Sequence, residues 1–548
     1  MEKEFNLLYE PWILVRTKNN EIKEWSLLDT FKYAHEAKCL AGELATQNVA
    51  ILRLLLAVLH ATFVHDNVQD SDDAIELWQR IWNEKHFEYE KIESYLKSYE
   101  DRFWLFHPKT PFYQVADIEN AMKKFQKDKG KKVNDSPKPK SVARLIGELS
   151  QSDNQFRLFA GRCGKYQNFI SYAEAARWLL HLNGFDDNSA KNPVPKGFGY
   201  LGQLGLVYAT GKTIFETVLL NWVLVDRRNK PFSDISDKTK AYWEKPVCTK
   251  IENLIVQPNA QKDLLTMQSR RILLLRDKRN VVGYFLTMGD YFDKDKGLEN
   301  EQMSLWRMDG NLIKPKLHMS ERQVWREFST LMCTSDDAIE AGVIRWLKFL
   351  EENEMLDKKE VCISIAGVCY DPDMKKPTKA IVDFVDDHLS VSASILLKLA
   401  DVWIDNITKT LQITADAVKQ LGWLASNIAS ATGNSGDDGT DKWKKKIREN
   451  AREQCYAELD IPFREWLVSI DVKKDKLNDK VEEWLAIAKN IILADGSKLL
   501  STCSDSALTG RIKKQNIKGN DVEVSTNVFE AIKKFNWKIN ELLGKEEK

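Results

Sequence analysis

Apolar residues crowd more than one face of segment 46–64 (TQNVAILRLLLAVLHATFV), which predicts a buried helix begun by Thr46 or Gln47. Ile75, Leu77, Trp78, Ile81 and Trp82 make a single stripe, so 72–99 continues helical. Ser171 with Glu174 three positions on is a capping box that opens an amphipathic helix over 171–183, and 213–225 predicts another buried helix. Apolar and β-branched runs at 6–16 and 22–28, separated by KNNE, predict a small β unit. ILLL and VVGYFLTM in 272–292 predict strands, and VCISIAGVCY and AIVDFV in 361–385 predict a hairpin turned by DPDMKKP. From about 390 the pattern is wholly helical. Ile395, Leu399, Val402, Trp403, Ile407 and Leu411 form one stripe, and helices follow at 421–428, 447–470, 481–500 and 528–543. The fold expected is therefore α+β: a large mixed α/β domain over 1–388, then an α-helical (four-helix) bundle over 389–548.

Two stretches interrupt the pattern. Segment 121–144 holds eight lysines and two prolines, which predicts a solvated, mobile loop without a core, of a kind that also tracks phosphates. Segment 184–205 is rich in Gly, Pro and Asn, and loops of that length usually carry function.

Charge changes the picture little. The 81 basic and 81 acidic residues cancel, so any nucleic-acid contact has to come from locally gathered lysines or from basic partners. Seventeen Trp among 548 residues is a high count, and many of them must sit in cores or at partner surfaces. The eight Cys lack zinc-knuckle spacing and read as reduced core thiols. The opening MEKEFNLLYEPW has no basic then apolar leader, and apolar runs such as 54–59 are short. A cytoplasmic protein without a membrane span is expected.

Enzyme chemistry finds little support. ATGKT at 209–213 resembles the end of a phosphate loop, but the required upstream Gly would fall at Leu206, and Gly205 stands one residue too early. Asp386, Asp387 and His388 are adjacent, so their side chains diverge, and they read as a solvated turn before the bundle. No H-E-x-x-H, no HNH-like cluster and no G-x-S-x-G elbow occurs. No catalytic residue, metal or cofactor is expected.

Six strings in order carry a resemblance: FNLLYEPWILV (5–15), 34–60, FHPKTPFYQ (106–114), 159–186, GFGYLGQLG (197–205) and TIFETVLLNWVL (213–224). Together they resemble the CasA family, the large subunit of the type I-E CRISPR complex Cascade; past 225 the match weakens. The resemblance implies a non-catalytic subunit of a crRNA-guided antiviral complex that recognises the PAM duplex, starts strand separation, helps hold the displaced strand and recruits the helicase–nuclease. The partners implied are the backbone, small and handle-binding Cascade subunits, the crRNA 5′ handle, target double-stranded DNA and the helicase–nuclease effector, with no membrane.

The resemblance also nominates residues. Gly197, Phe198, Gly199 and Tyr200 match a Gly-Phe-Gly-Gly loop whose bare backbone approaches a groove floor, with Tyr200 departing from the last Gly. The hairpin tip, Met374, Lys375, Lys376, Pro377, Thr378 and Lys379, stands where the family carries an amide wedge, with Thr378 nearest that position; the alternative is a charged turn that blocks edge pairing. A lysine finger aligns with Gly289, leaving Lys294 and Lys296 as candidates. In the Phe-bearing loop, Phe156 or Phe159 stacks on a base or fills a protein pocket, and Arg157, Arg162 and Lys165 suit crRNA or DNA phosphates. Lys442, Lys444, Lys445, Lys446, Arg448 and Arg452 form either a track for the displaced strand or a solvated helix start. Two other classes stay open: a stand-alone nucleic-acid enzyme with an unfamiliar metal site, and a purely structural scaffold.

Overall fold

The computed structural model describes residues 2–544 except 64, 65, 67, 129–137, 148–149, 153–154, 157–161, 163, 188–196, 233–238, 248–254, 257, 259, 293–296, 357–359, 372–379, 432–441 and 518–519. Two compact units emerge. One is drawn from Met1–Arg322, Ser335–Leu356 and Val361–His388, the other from Gln323–Thr334, Asp357–Glu360 and Leu389–Lys548.

The first unit is built around the helix Ala45–Thr62, which lacks a polar face and is buried along nearly its whole length. By length and composition this helix could cross a bilayer, yet 89% of it is enclosed by the unit's own core. Its N-cap, Leu44, has no capping side chain. Instead Gln47 and Asn48 fold back to accept the Glu43 and Gly42 amides at 3.2 and 2.8 Å, which fixes the chain that leads into the helix. The helices Tyr172–Phe185 and Gln261–Leu265 pack on it. Beside them lies a six-stranded sheet with neighbours in the order Leu312–Pro315, Ser304–Asp309, Gly205–Thr210, Glu360–Tyr370 and Ile381–Ser392; Ala338–Ile339 pairs with Ser304–Asp309. Register pairs Ile365 with Val207 and Ile363 with Ala209. A second sheet pairs Arg270–Asp277 with Asn280–Met288, and the latter with Lys140–Ser141.

The lysine-rich stretch departs from its expected form. Ile118–Asp128 is a helix. Ile118, Met122 and Phe125, one turn apart, close against Val115 and Phe285, which suffices for a stripe. Residues 386–388 also differ from expectation: they lie in the strand Ile381–Ser392, not in a turn.

The second unit surrounds Asp401–Ala431, against which Lys442–Ser469, Leu477–Ser501 and Val528–Leu543 pack. Trp484 sits at its centre, donating its indole N–H to Thr414 Oγ1 at 3.0 Å, with Phe463 and Trp466 against its ring. Three details depart from the predicted pattern. Segment 421–428 continues the 401–431 helix and is not a separate element. Leu399 and Val402 are 58% and 61% exposed, because a 3-10 turn over Lys398–Ala400 precedes the helix and shifts the phase of the stripe. A β-hairpin, Arg511–Ile517 with Asn520–Thr526, interrupts the helices.

Two imidazoles of the first unit couple stability to pH. Desolvation pushes His60 down to about 3, with Lys262 adding to the effect. Desolvation likewise pushes His181 to about 3, against the opposing charges of Asp186 and Glu43. An unfolded chain takes up these protons near pH 6.5, while the native chain does not until near 3. Stability therefore falls as pH drops through that window, by up to ~1.4 kcal/mol per pH unit for each histidine. Urea denaturation between pH 6.5 and 5.5 checks this: His60→Gln should flatten the slope by up to that amount, and an unchanged slope would contradict the assignment.

Candidate nucleic-acid interface

The glycine loop is seated on the C-terminal end of Tyr172–Phe185. Gly199 N–H donates to the Asp186 carbonyl at 2.8 Å, a bond that ties the loop to the residue capping that helix. Gly199 is buried, and a Cβ there would stand 2.3 Å from the Gly184 carbonyl oxygen and 2.8 Å from the Asp186 nitrogen. Both neighbours are backbone and cannot swing aside, so only glycine fits.

Arg270, fully buried at the head of the strand Arg270–Asp277, completes the clamp. Its Nε donates to the Asp186 carboxylate at 2.5 Å, Nη2 to the Gly197 carbonyl at 2.6 Å and Nη1 to the Ser269 carbonyl at 2.8 Å. Its own amide donates to Asn183 Oδ1 at 3.0 Å. A guanidinium out of water needs these three acceptors, and removing the Asp186 carboxylate leaves a penalty of about 3–5 kcal/mol.

A second buried network holds the next residue. Tyr200, 6% exposed, donates its hydroxyl to Glu301 Oε2 at 2.7 Å. Arg53 meets both oxygens of Glu301 at 2.9 Å, and the Met303 amide donates to Oε1 at 3.0 Å. Burial raises the Tyr200 phenol well above its ordinary pKa, reinforced by Glu301, so it remains a donor. For Arg53, burial opposes the charge and Glu301 outweighs it, leaving the guanidinium more basic than usual.

Phe198, half-buried, lies with its ring centroid 4.4 Å from that of Tyr370. Tyr370 ends the strand Glu360–Tyr370 and leads directly into the hairpin turn. The glycine loop and the base of the hairpin are thus in contact, although 172 positions of chain separate Phe198 from Tyr370. The hairpin-tip residues Met374, Lys375, Lys376, Pro377, Thr378 and Lys379 lie outside the described residues, as do Lys294, Lys296, Arg157, Phe159 and the side chain of Phe156.

The structure redistributes roles among the other candidates. Gly199 and Tyr200 are framework: their atoms are spent on the protein interior, leaving Gly197 and Phe198 as the partly exposed part of the loop. Gly289, where the finger lysine aligns, has the Gln268 carbonyl 2.3 Å from where a Cβ would be, so no side chain fits there. Arg162 is paired with Glu174, whereas Lys165 is exposed, its ammonium 5.5 Å from the Tyr166 ring centre. The bundle's basic run divides in two: Lys442, Lys445 and Lys446 face solvent. Lys444 lies over Trp443, Arg448 stacks on Trp423 at 3.9 Å, and Arg452 packs against Gly422. At the phosphate-loop look-alike, the Glu216 carboxylate accepts the Lys212 amide at 2.6 Å, putting a negative charge where an anion would have to sit.

The profile of the family described as CRISPR-associated protein Cse1 matches residues 6–494. The chain belongs to the Cse1 family. CasA/Cse1 of Thermus thermophilus is 25% identical over 449 residues, covering 80% of each chain. The crystal structure of Thermobifida fusca Cse1 is similar at a TM-score of 0.80 with 27% identity over 98% of both chains. That of Cse1 from Acidimicrobium ferrooxidans reaches 0.75 with 22% identity, over 99% of this chain and 98% of that one. A chain from a structure titled CRISPR RNA-guided surveillance complex has the same fold at 0.61 and 15% identity, over 91% of this chain and all of that one.

Within this Cse1 chain, sequence patterns pointed to the glycine loop but not to the residues that hold it. Arg270 and Asp186 are 84 positions apart, beyond any local periodicity. Arg53 carried the one available signal: a lone charge inside an otherwise apolar helix requires a buried partner. The two glycines should respond differently to alanine. At Gly197 the nearest atom to an added Cβ is the Met288 terminal methyl at 2.6 Å, which can turn away. Gly199→Ala should cost about 1–3 kcal/mol in urea denaturation and Gly197→Ala less than about 1; equal costs would contradict the packing described.

Proposed function

We propose that this Cse1-family chain is the large subunit of a type I-E crRNA-guided surveillance complex. In this role it reads the PAM duplex, starts strand separation, helps hold the displaced strand and recruits a helicase–nuclease. It works beside the backbone, small and handle-binding subunits and the crRNA 5′ handle, in the cytoplasm and without catalysis of its own. The observation that carries the reading is the contact of Phe198 with Tyr370, which joins the glycine loop to the root of the hairpin. Prying a duplex apart takes a few kcal/mol per unstacked step, and a wedge on a yielding base would move instead of the DNA. Here the loop that braces the root is itself held, by the Arg270 clamp on the Gly197 carbonyl and Asp186 and by the Gly199 amide on the Asp186 carbonyl.

The minor groove presents a degenerate pattern, so a loop pressed against it reads shape and leaves sequence to guide pairing. Gly197 and Phe198 approach the duplex, while Lys375, Lys376 and Lys379 supply phosphate contacts beside a Met374, Pro377 or Thr378 wedge. Lys294 and Lys296 are finger candidates. Phe156 or Phe159, with Arg157 and Lys165, serves the guide handle or DNA phosphates. The match to a chain of an RNA-guided surveillance complex supports the assembly part of this reading.

The test is binding of the assembled complex to a PAM-library duplex. Phe198→Ala, or Lys375→Glu with Lys376→Glu, should weaken duplex binding at least tenfold while assembly stays intact. Normal duplex binding by both variants, or metal-dependent cleavage by the isolated chain, would refute the proposal.

A further inference from the structure

The helical unit carries a short groove between Asp401–Ala431 and Val528–Leu543. Gln420, Trp423, Asn427 and Lys534 line it over a floor of Leu424 and Phe535. Gln420, Trp423 and Asn427 fall at i, i+3 and i+7, on one helix face. Trp423 is 42% exposed, although a tryptophan gains by burial. Its orientation is set by Arg448, whose guanidinium lies 3.9 Å from the ring centre and whose Nε donates to Ser426 Oγ at 3.1 Å. The indole is therefore held from one side by a cation that is itself anchored.

The polar groups around it are unspent. Among the described residues the carboxamides of Gln420 and Asn427, the indole N–H of Trp423 and the Lys534 ammonium have no hydrogen-bond or ion-pair partner. A π-face, two groups that each donate and accept, and one cation thus meet in a single groove. The ligand chemistry that uses all of them is a base with hydrogen-bonding edges, joined to a phosphate.

We propose that this groove takes one unpaired base of a single strand, stacked on Trp423, with its edge on Gln420 and Asn427 and its phosphate at Lys534. A strand, and not a free nucleotide, is the occupant because the exposed Lys442, Lys445 and Lys446 precede Arg448 on the same helix. That cationic run leads to the indole, and a run of charges matches a polyphosphate backbone where one nucleotide needs a single cation. The inference rests on the displaced-strand reading and adds to it a definite base site.

The test uses the full chain with a single strand carrying 5-iodouridine, read by photo-crosslink mapping and by fluorescence anisotropy at two salt concentrations. A crosslink at Trp423 is expected. Trp423→Ala should weaken binding about tenfold, the usual scale for losing one stacked base. Trp423→Tyr, which keeps a ring against Arg448, should retain most of the affinity and so separates loss of stacking from loss of fold. Lys534→Gln should lower the salt slope by about one ion. If the alanine variant binds normally with no crosslink at Trp423, while Lys442→Gln, Lys445→Gln and Lys446→Gln together weaken binding, the base site is wrong and the track stands. If the triple variant binds normally and Trp423→Ala does not, the track falls and the base site stands. A wild-type chain that retains no strand at low salt overturns both.

Discussion

A guanidinium with no exposure to solvent organises the site. Arg270 is worth burying only while the Asp186 carboxylate and the Gly197 and Ser269 carbonyls surround it, since an isolated interior charge costs several kcal/mol. The need runs both ways. Arg270 requires the end of the Tyr172–Phe185 helix and the glycine loop to stand at fixed places, and those two elements depend on Arg270 for a shared partner. Gly199 then closes the gap with a backbone approach that no side chain permits. Tyr200, pinned through Glu301 to Arg53, anchors the loop to the core helix. Between two such anchors, Phe198 is presented toward the hairpin root in a defined position.

This arrangement gives the glycines a second meaning. A bare backbone reads naturally as a surface built for a groove floor. Gly199 is bare for an inward reason, because Gly184 lies against it. The outward part of the loop is only Gly197 and Phe198, and Tyr200, which departs from the glycine of the family pattern, is used as a buried strut. The rigidity of the loop, more than its nakedness, is what the proposed contact with a duplex draws on.

What the sequence revealed follows from how far each signal reaches. The helix at 46–64 was legible because its apolar character is continuous, and the 171–183 helix because Ser171 and Glu174 announce its start within one turn. The helix at 118–128 was hidden because its lysines run on into a stretch of eight over 121–144, which masks the short stripe of Ile118, Met122 and Phe125. Leu399 and Val402 were misread because a 3-10 turn changes the spacing without changing the composition. The hairpin over 511–526 is hidden because Lys513 and Lys514 break the alternation of its first arm and only Val522 and Val524 mark the second. The candidate loop could be found from its own residues, but the Arg270–Asp186 pair joins positions 84 apart and belongs to tertiary structure alone. Trp423 gives no local signal for a related reason: its exposure depends on which neighbours pack beside it.

The central claim is that the buried Arg270 clamp gives the loop the stiffness that duplex opening requires. The direct measurement is hydrogen exchange at the Gly199 amide together with PAM-duplex binding, in the assembled complex carrying Arg270→Gln and Asp186→Asn, a pair that removes both charges at once. The account predicts an intact complex in which protection at Gly199 and duplex binding are lost together. Lost protection with duplex binding unchanged would contradict it.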